Sequence, residues 1–412
     1  MAGVALGAMK VRATLHRLVR SQDPRLSQRR LLAATLAALV RQRRRGLVLA
    51  APMLARLPAT GRAKLDLWRA VARALAGGPP SPLPPQALQA TQAYREARAR
   101  LDQALWSPYG RGRNYEQLLA RLRQRSPDRV LLFHHHDSRG LLPRSWIQAL
   151  LACQRAGWQV VCSSSRLQVE RAAELEGQGV WLAERTNLGL CLGAYKDLSL
   201  LLLQDPSVVA GLRSLVLCND STLPLAADQA LLSQLAAWDQ AGQASEAPLL
   251  ASLTDSAERG SYHLQSYLLH ANAALLQHAA WLRFWLGFSP FGSKDELIDT
   301  GEIGLSQALL AADVALRPAY PLVAGLLDDP AMGEELQRYG IGCPHEANPS
   351  LFAWQSLLAR GFPLVKKHVL FNPRDNQPQP LELAALSRWI SPERRALLAA
   401  DLQELFVSRY AP

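Results

Sequence analysis

The residues best placed to do chemistry in this chain stand at the ends of short apolar runs. Leu215-Val216-Leu217-Cys218 leads into Asn219-Asp220-Ser221. A carboxylate at such a tip can hold Mg²⁺ or Mn²⁺ through one oxygen while substrate phosphates fill other positions. It can equally cap the following turn. Arg129 to Phe133 runs into His134-His135-His136-Asp137-Ser138-Arg139-Gly140, and Val180 to Ala183 into Glu184-Arg185-Thr186-Asn187-Leu188-Gly189. Leu249 to Leu253 ends at Thr254-Asp255-Ser256. Three adjacent histidines suggest a metal, but neighbours on a strand end point in opposite directions, so they cannot all ligate one ion. Arg185 and Lys196 are candidate phosphate partners. Gly189 and Gly193 permit close backbone approach or a simple turn.

Four polar tips form one site only if a scaffold brings them to one edge. From Ser126-Pro127-Asp128 onward, short β-rich apolar runs alternate with helical stretches. Strands are expected at Arg129–Phe133, Trp158–Cys162, Val180–Ala183, Leu215–Cys218, Leu249–Leu253 and His263–Leu269. Helices are expected at Pro143–Ala156, Gly193–Leu203, Leu225–Trp238 and Ala273–Leu286. This alternation predicts an α/β domain with a largely parallel sheet, whose ligands sit at the carboxyl ends of the strands. After about Leu326 the pattern is mostly helical to Pro412. Ahead of the core, residues 1–125 read as Ala-, Leu- and Arg-rich helix, broken at 77–85 by Gly77-Gly78-Pro79-Pro80-Ser81-Pro82-Leu83-Pro84-Pro85. The expected domains are therefore 1–125, 126–325 and 326–412.

The composition of the 412 residues, 49% hydrophobic and 19% charged, supplies a sizeable core and excludes a mainly disordered or collagen-like chain. Five cysteines with no C-x-x-C pair argue against a disulfide scaffold or zinc ribbon and fit a reducing cytoplasm. Residues 1–129 hold 25 Lys+Arg against 6 Asp+Glu, a net +19, while the rest of the chain is −7. Such a cationic segment seeks anions. The best apolar run there, Leu31 to Val40, spans roughly 15 Å as a helix, half of the ~30 Å hydrocarbon core, and Arg41 to Arg45 stop its extension. No spanning segment and no signal peptide are expected. Nucleic-acid binding has charge alone behind it and no motif, so no nucleic acid is expected as partner.

The order of motifs resembles the rhamnan synthesis protein F family, bacterial sugar transferases of polysaccharide and lipopolysaccharide assembly. The similar segments are Phe133, His135, Asp137 and Gly140; Arg185, Asn187, Gly189, Gly193, Ala194, Tyr195 and Lys196; and Asn219-Asp220-Ser221. They continue with Thr254-Asp255-Ser256, His263-Leu264-Gln265-Ser266-Tyr267 and Glu302-Ile303-Gly304-Leu305-Ser306. Asn348-Pro349, Trp354 and Gly361-Phe362-Pro363-Leu364-Val365-Lys366 complete the set. The likeness covers about residues 128–373. Two positions depart from it: Cys191 stands where the family usually has Asp, and Thr222-Leu223-Pro224 lacks the usual Gly.

The resemblance implies a GT-A-like, Rossmann-type core and a glycosyltransferase using a nucleotide-sugar donor, dTDP-L-rhamnose in related rhamnan pathways. The acceptor it implies is a growing or lipid-linked glycan at the inner face of the plasma membrane. It implies donor contacts at His135, Asp137, Arg185, Asn187, Gly189 and Lys196, and at Asn219, Ser221, His263 and Gln265, with Asp220 as the metal ligand. For an inverting mechanism it implies a carboxylate base. Glu302 is preferred because Thr300-Gly301 breaks the chain and Ile303 to Ala312 reads as a helix, putting Glu302 at a helix N-terminus. Asp255 is the rival. The alternative is a non-catalytic sugar-nucleotide or glycan-binding protein of the same fold. The setting also gives the cationic N-terminus a partner, an anionic membrane surface, at roughly 1 kcal/mol per basic residue.

Overall fold

The computed structural model describes residues 114–225, 229–291, 293–341, 347–371, 386 and 388–410. The expected helices and Pro-rich break within 1–113 lie outside these residues.

The core is mixed α/β with a mostly parallel central sheet. Its strands are β1 Arg129–His135, β2 Gln159–Ser164, β3 Trp181–Glu184, β4 Ser214–Asn219, β6 Leu249–Ser256, β7 His263–Leu264, β8 Leu268–Asn272 and β9 Ala315–Tyr320. A separate pair joins β5 Thr222–Pro224 to β10 Leu364–Lys366. The main order is β3-β2-β1-β4-β8-β6, with β9 on the far edge of β6. Strands β1 to β4 are parallel, and β8 runs against both β4 and β6. The chain therefore leaves β1 in one direction through β2 and β3, then returns to β1's other side as β4. That reversal is a switch point, and in open α/β sheets the carboxyl ends of the strands beside it, here β1 and β4, border the crevice where ligands bind. Such an arrangement is compatible with a Rossmann-like fold.

Burial alternates along the strands as a two-sided sheet requires. Leu131 and Phe133 face a core shared with Trp146 and Ile147 of helix Arg144–Arg155 and with Leu235 of helix Gln229–Gln243. Val130 and Leu132 face the opposite core, with Leu122 of helix Tyr115–Arg125, Leu198 of helix Leu190–Leu203, and Trp281 and Trp285 of helix Ala279–Gly287. At about 1.5–3 kcal/mol for each fully buried large apolar side chain, these two layers dominate the stabilisation of the sheet.

Three strands, β5, β9 and β10, have no clear signal in the sequence. β9 carries Arg317 and Pro318, and proline is tolerated because β9 is an edge strand that, among the described residues, pairs with β6 alone. β10 is three residues long and lies in the otherwise helical region after Leu326. That region also packs on the main core: Leu357, Leu364 and Leu398 share the layer with Trp146.

The expected single strand His263–Leu269 is broken. Asp255 pairs with Leu264, but Ala251 pairs with His270, so the register slips by two residues between β7 and β8. Gln265, Ser266 and Tyr267 form a bulge, which re-aims side chains that a regular ladder would alternate.

Candidate functional site

The crevice is built from the tips of β1 and β4. The Asp220 amide donates to the His134 carbonyl at 3.1 Å, and the Ser221 amide to Asn219 Oδ1 at 2.9 Å, which folds the Asn219-Asp220-Ser221 tip into a tight turn. The β5–β10 pair closes one side, and the Lys367 amide donates to the Ser221 carbonyl at 2.9 Å. This seats two lysines on the tip. Lys367 Nζ lies 2.9 Å from Asp220 Oδ2. Lys366 Nζ lies 3.4 Å from Ser221 Oγ and 4.2 Å from the centre of the Tyr267 ring. Although burial works against it, the Asp220 carboxyl is held below the usual range by Lys367 and the two neighbouring histidines. Burial pulls Lys366 down to about 8, against the opposing pull of Glu302.

The other side is the bulge. Asn219 Nδ2 donates to the Tyr195 hydroxyl at 3.2 Å, and that hydroxyl donates to the Ser266 carbonyl at 3.0 Å. The Ser266 amide donates to Glu302 Oε2 at 2.7 Å, and its hydroxyl bonds the same oxygen. Hydrogen bonds on both sides of Ser266 thus link the β4 tip to Glu302. Cys191, at the start of helix Leu190–Leu203, lies in the field of Glu302, Lys366 and Asp220, and burial pushes its thiol up to about 12. Where a carboxylate would add negative charge, the site holds a neutral group.

Glu302 is not at a helix start. Lys294–Leu297 opens the helix with a Ser293–Glu296 capping box, Ile298–Ile303 is a π-turn, and Gly304–Leu310 continues it. Glu302 is therefore well inside, and the terminal dipole, which acts within the first turn, is not what it has. A π-turn widens the helix locally and is common at functional sites. Here it projects a carboxylate that is 20% exposed. His263 is buried beside it: Nδ1 donates to the Ser261 carbonyl at 2.9 Å, and Nε2 lies 3.8 Å from Glu302 Oε1.

Several expected donor contacts are placed inside the protein. Arg185 and Asp197 are an ion pair at 2.9 Å with no accessible side-chain surface on either. Arg185 also donates to the carbonyls of Leu188 and Leu190 at 2.6 and 3.3 Å, so it braces the loop after β3. Lys196 is fully buried and donates to the Phe288 carbonyl. His135 is fully buried between Ser164 Oγ at 3.0 Å and the Leu141 carbonyl at 2.9 Å. Asp137 Oδ1 accepts from the Arg139 and Leu141 amides at 2.9 and 3.1 Å, shaping the loop after β1. Asn187 Oδ1 accepts a hydrogen bond from His134 Nε2 at 3.3 Å. Gly189 adopts φ +73°, and a Cβ there would meet Pro290 at 2.6 Å; one on Gly193 would meet the Leu188 carbonyl at 2.1 Å. The close approach these glycines allow is to this chain's own backbone and side chains.

Asp255 and Gln265 are likewise engaged. Asp255 Oδ1 accepts the Leu322 amide at 2.6 Å, and burial raises its carboxyl above the usual range. Gln265 Oε1 takes the Thr254 hydroxyl at 2.6 Å. Asp220, Ser221 and Glu302 keep accessible surface in the crevice, while Asn219 beneath them is buried.

The divalent ion expected at Asp220 can be tested against its donors. Lys367 occupies Oδ2, and both nitrogens of His135 are engaged. Among the described residues no group of three acidic, histidine or cysteine side chains surrounds one point. A single carboxylate can hold Mg²⁺ where substrate phosphates fill the other positions, but Lys367 already neutralises Asp220, so the tip suits an ammonium better than a divalent cation.

The residues that sequence reasoning missed are Lys366, Lys367, Ser266 and Tyr267 in their site roles. For the lysines a signal existed: only six of the 46 basic residues are lysine, and two of them are adjacent at 366 and 367.

Compared with known proteins, the chain matches no protein-family model and no curated sequence. The class is therefore defined by fold and site: an α/β protein with a polar crevice at the switch point of its sheet. Among the described residues no helix is long and apolar enough to cross a membrane.

Proposed function

We propose that this protein is an inverting glycosyltransferase with a GT-A-like core. It would move a sugar, rhamnose in the resembling pathways, from a nucleotide-sugar donor such as dTDP-L-rhamnose to a polysaccharide or lipopolysaccharide precursor. The observation that carries this reading is the switch-point crevice, with an anion-compatible lysine pair on one wall and the Glu302 carboxylate on the other. In the reaction, Glu302 takes the proton of the acceptor hydroxyl. The acceptor oxygen bonds the anomeric carbon from the face opposite the leaving group, and the bond from that carbon to the diphosphate oxygen breaks. The negative charge then rests on the released nucleoside diphosphate. Because Lys367 already neutralises Asp220, no step is routed through Mg²⁺ or Mn²⁺.

A second reading, a non-catalytic sugar-nucleotide or glycan-binding protein of the same fold, draws on the burial of Arg185, Lys196 and His135, which removes three expected donor contacts. Transfer and donor hydrolysis measured over a panel of nucleotide sugars separate the two. Turnover with any donor supports the first; binding without turnover supports the second.

The cationic residues 1–125 give this enzyme an anionic membrane surface as partner and a peripheral place at the cytoplasmic face, with no nucleic acid required. Co-sedimentation with anionic liposomes that falls as salt rises supports this, because salt screens exposed charge. Equal binding to neutral vesicles, or tighter binding to DNA, counts against it.

A further inference from the structure

We infer that Lys366 and Lys367 are the groups that bind the donor diphosphate, standing where a divalent cation would otherwise act. The inference rests on the glycosyltransferase reading above. Its basis is the geometry of the Asn219-Asp220-Ser221 tip. Lys367 Nζ sits 2.9 Å from Asp220 Oδ2, the carboxylate a metal would need. An ammonium carries three N–H donors, and Asp220 takes one, so two remain for phosphate oxygens. Lys366 Nζ stands on the same tip, 3.4 Å from Ser221 Oγ and over the face of Tyr267 at 4.2 Å. The ring supports the cation from one side without consuming an N–H.

The backbone that carries the two lysines is fixed by pairing. Leu364 pairs with Pro224 and Lys366 with Thr222, and the Lys367 amide is bonded to the Ser221 carbonyl. Backbone pairing brings both cations to the tip where charge develops on the leaving group, and their contacts with Asp220, Ser221 and Tyr267 orient them there. The surrounding charges are balanced rather than repulsive. Asp220 faces Lys367, and Glu302, Glu258 and Lys294 act on Lys366, with Cys191 neutral beside it. Asp220 on this reading is a positioning residue for Lys367.

The test is calorimetric binding of dTDP and UDP to the full chain, in EDTA and in MgCl₂. The variants are Lys366→Met, the double variant Lys367→Met with Asp220→Asn (which leaves no unpaired carboxylate), and the charge-keeping Lys366→Arg. Binding of a nucleoside diphosphate in EDTA is expected, changed less than threefold by MgCl₂. It should weaken tenfold or more in both methionine variants and be largely kept in Lys366→Arg. Binding that requires MgCl₂, or methionine variants that bind like the parent, overturns the inference and leaves the glycosyltransferase reading standing. Binding of neither nucleotide under either condition overturns both. The response of the unmodified chain to MgCl₂ is decisive even if a variant fails to fold.

Discussion

Glu302 accepts both hydrogen bonds that Ser266 can donate, the amide at 2.7 Å and the hydroxyl, and both on Oε2. Oε1 is left toward His263 Nε2 at 3.8 Å. The carboxylate is thus oriented by the bulge between β7 and β8, and the bulge is tied through Tyr195 to the β4 tip. If Glu302 is the base, Glu302→Gln lowers the transfer rate by ~10²-fold or more and keeps donor affinity, because proton transfer is lost while the diphosphate contacts are intact. Steady-state kinetics alongside dTDP binding check this split. Near-normal turnover in Glu302→Gln removes it from the role.

Asp255→Asn should act on stability more than on turnover. The Asp255 carboxylate accepts the Leu322 amide at 2.6 Å and is buried at the end of β6. Asparagine keeps one oxygen for that amide but puts an NH₂ donor in place of the other, and an unsatisfied buried group costs about 1–3 kcal/mol. A lowered melting temperature with at most a severalfold loss in rate is the expected outcome. An unchanged melting temperature with a hundredfold loss in rate would reverse the assignment of the base.

Arg185→Met should cripple the fold rather than donor binding alone. The Arg185–Asp197 pair is fully buried, and burial pushes the Asp197 carboxyl up to about 7 even with Arg185 beside it. Removing one partner of a buried pair costs about 3–5 kcal/mol because the other is left uncompensated. Chemical denaturation reads this directly. A variant as stable as the parent but unable to bind a nucleoside diphosphate would return Arg185 to the phosphate.

His270 predicts an acid sensitivity. It is fully buried in β8, its Nε2 3.1 Å from Ser214 Oγ, and burial pulls it down to about 4. Between its ordinary value near 6.5 and 4, the unfolded chain binds a proton that the folded chain refuses, so stability falls as pH drops through that window. The loss from this one group is about 3 kcal/mol by pH 4. Urea midpoints of the parent between pH 7 and pH 4 should fall more steeply than those of His270→Gln. Equal slopes would remove His270 as the cause.

The sequence by itself determined the alternation of strands and helices, the strand tips at Asp137, Arg185, Asp220 and Asp255, and the cationic character of the first third. These are local properties: apolar runs of four to seven residues, turn-forming clusters and charge counts are visible without knowing what pairs with what. Only the tertiary structure decided which polar residues face the crevice. Arg185 and Lys196 look like phosphate ligands by type, yet Arg185 is engaged by the Asp197 carboxylate and the carbonyls of the loop before helix Leu190–Leu203, and Lys196 is buried against the Phe288 carbonyl. Glu302 reads as a helix start after Thr300-Gly301, but a π-turn carries the helix through it. Lys367 meets Asp220 only because the three-residue strand β10 pairs with β5. Such contacts join residues far apart in the chain. Their energy depends on burial and on partners that only the assembled sheet supplies, so nothing local in the sequence encodes them.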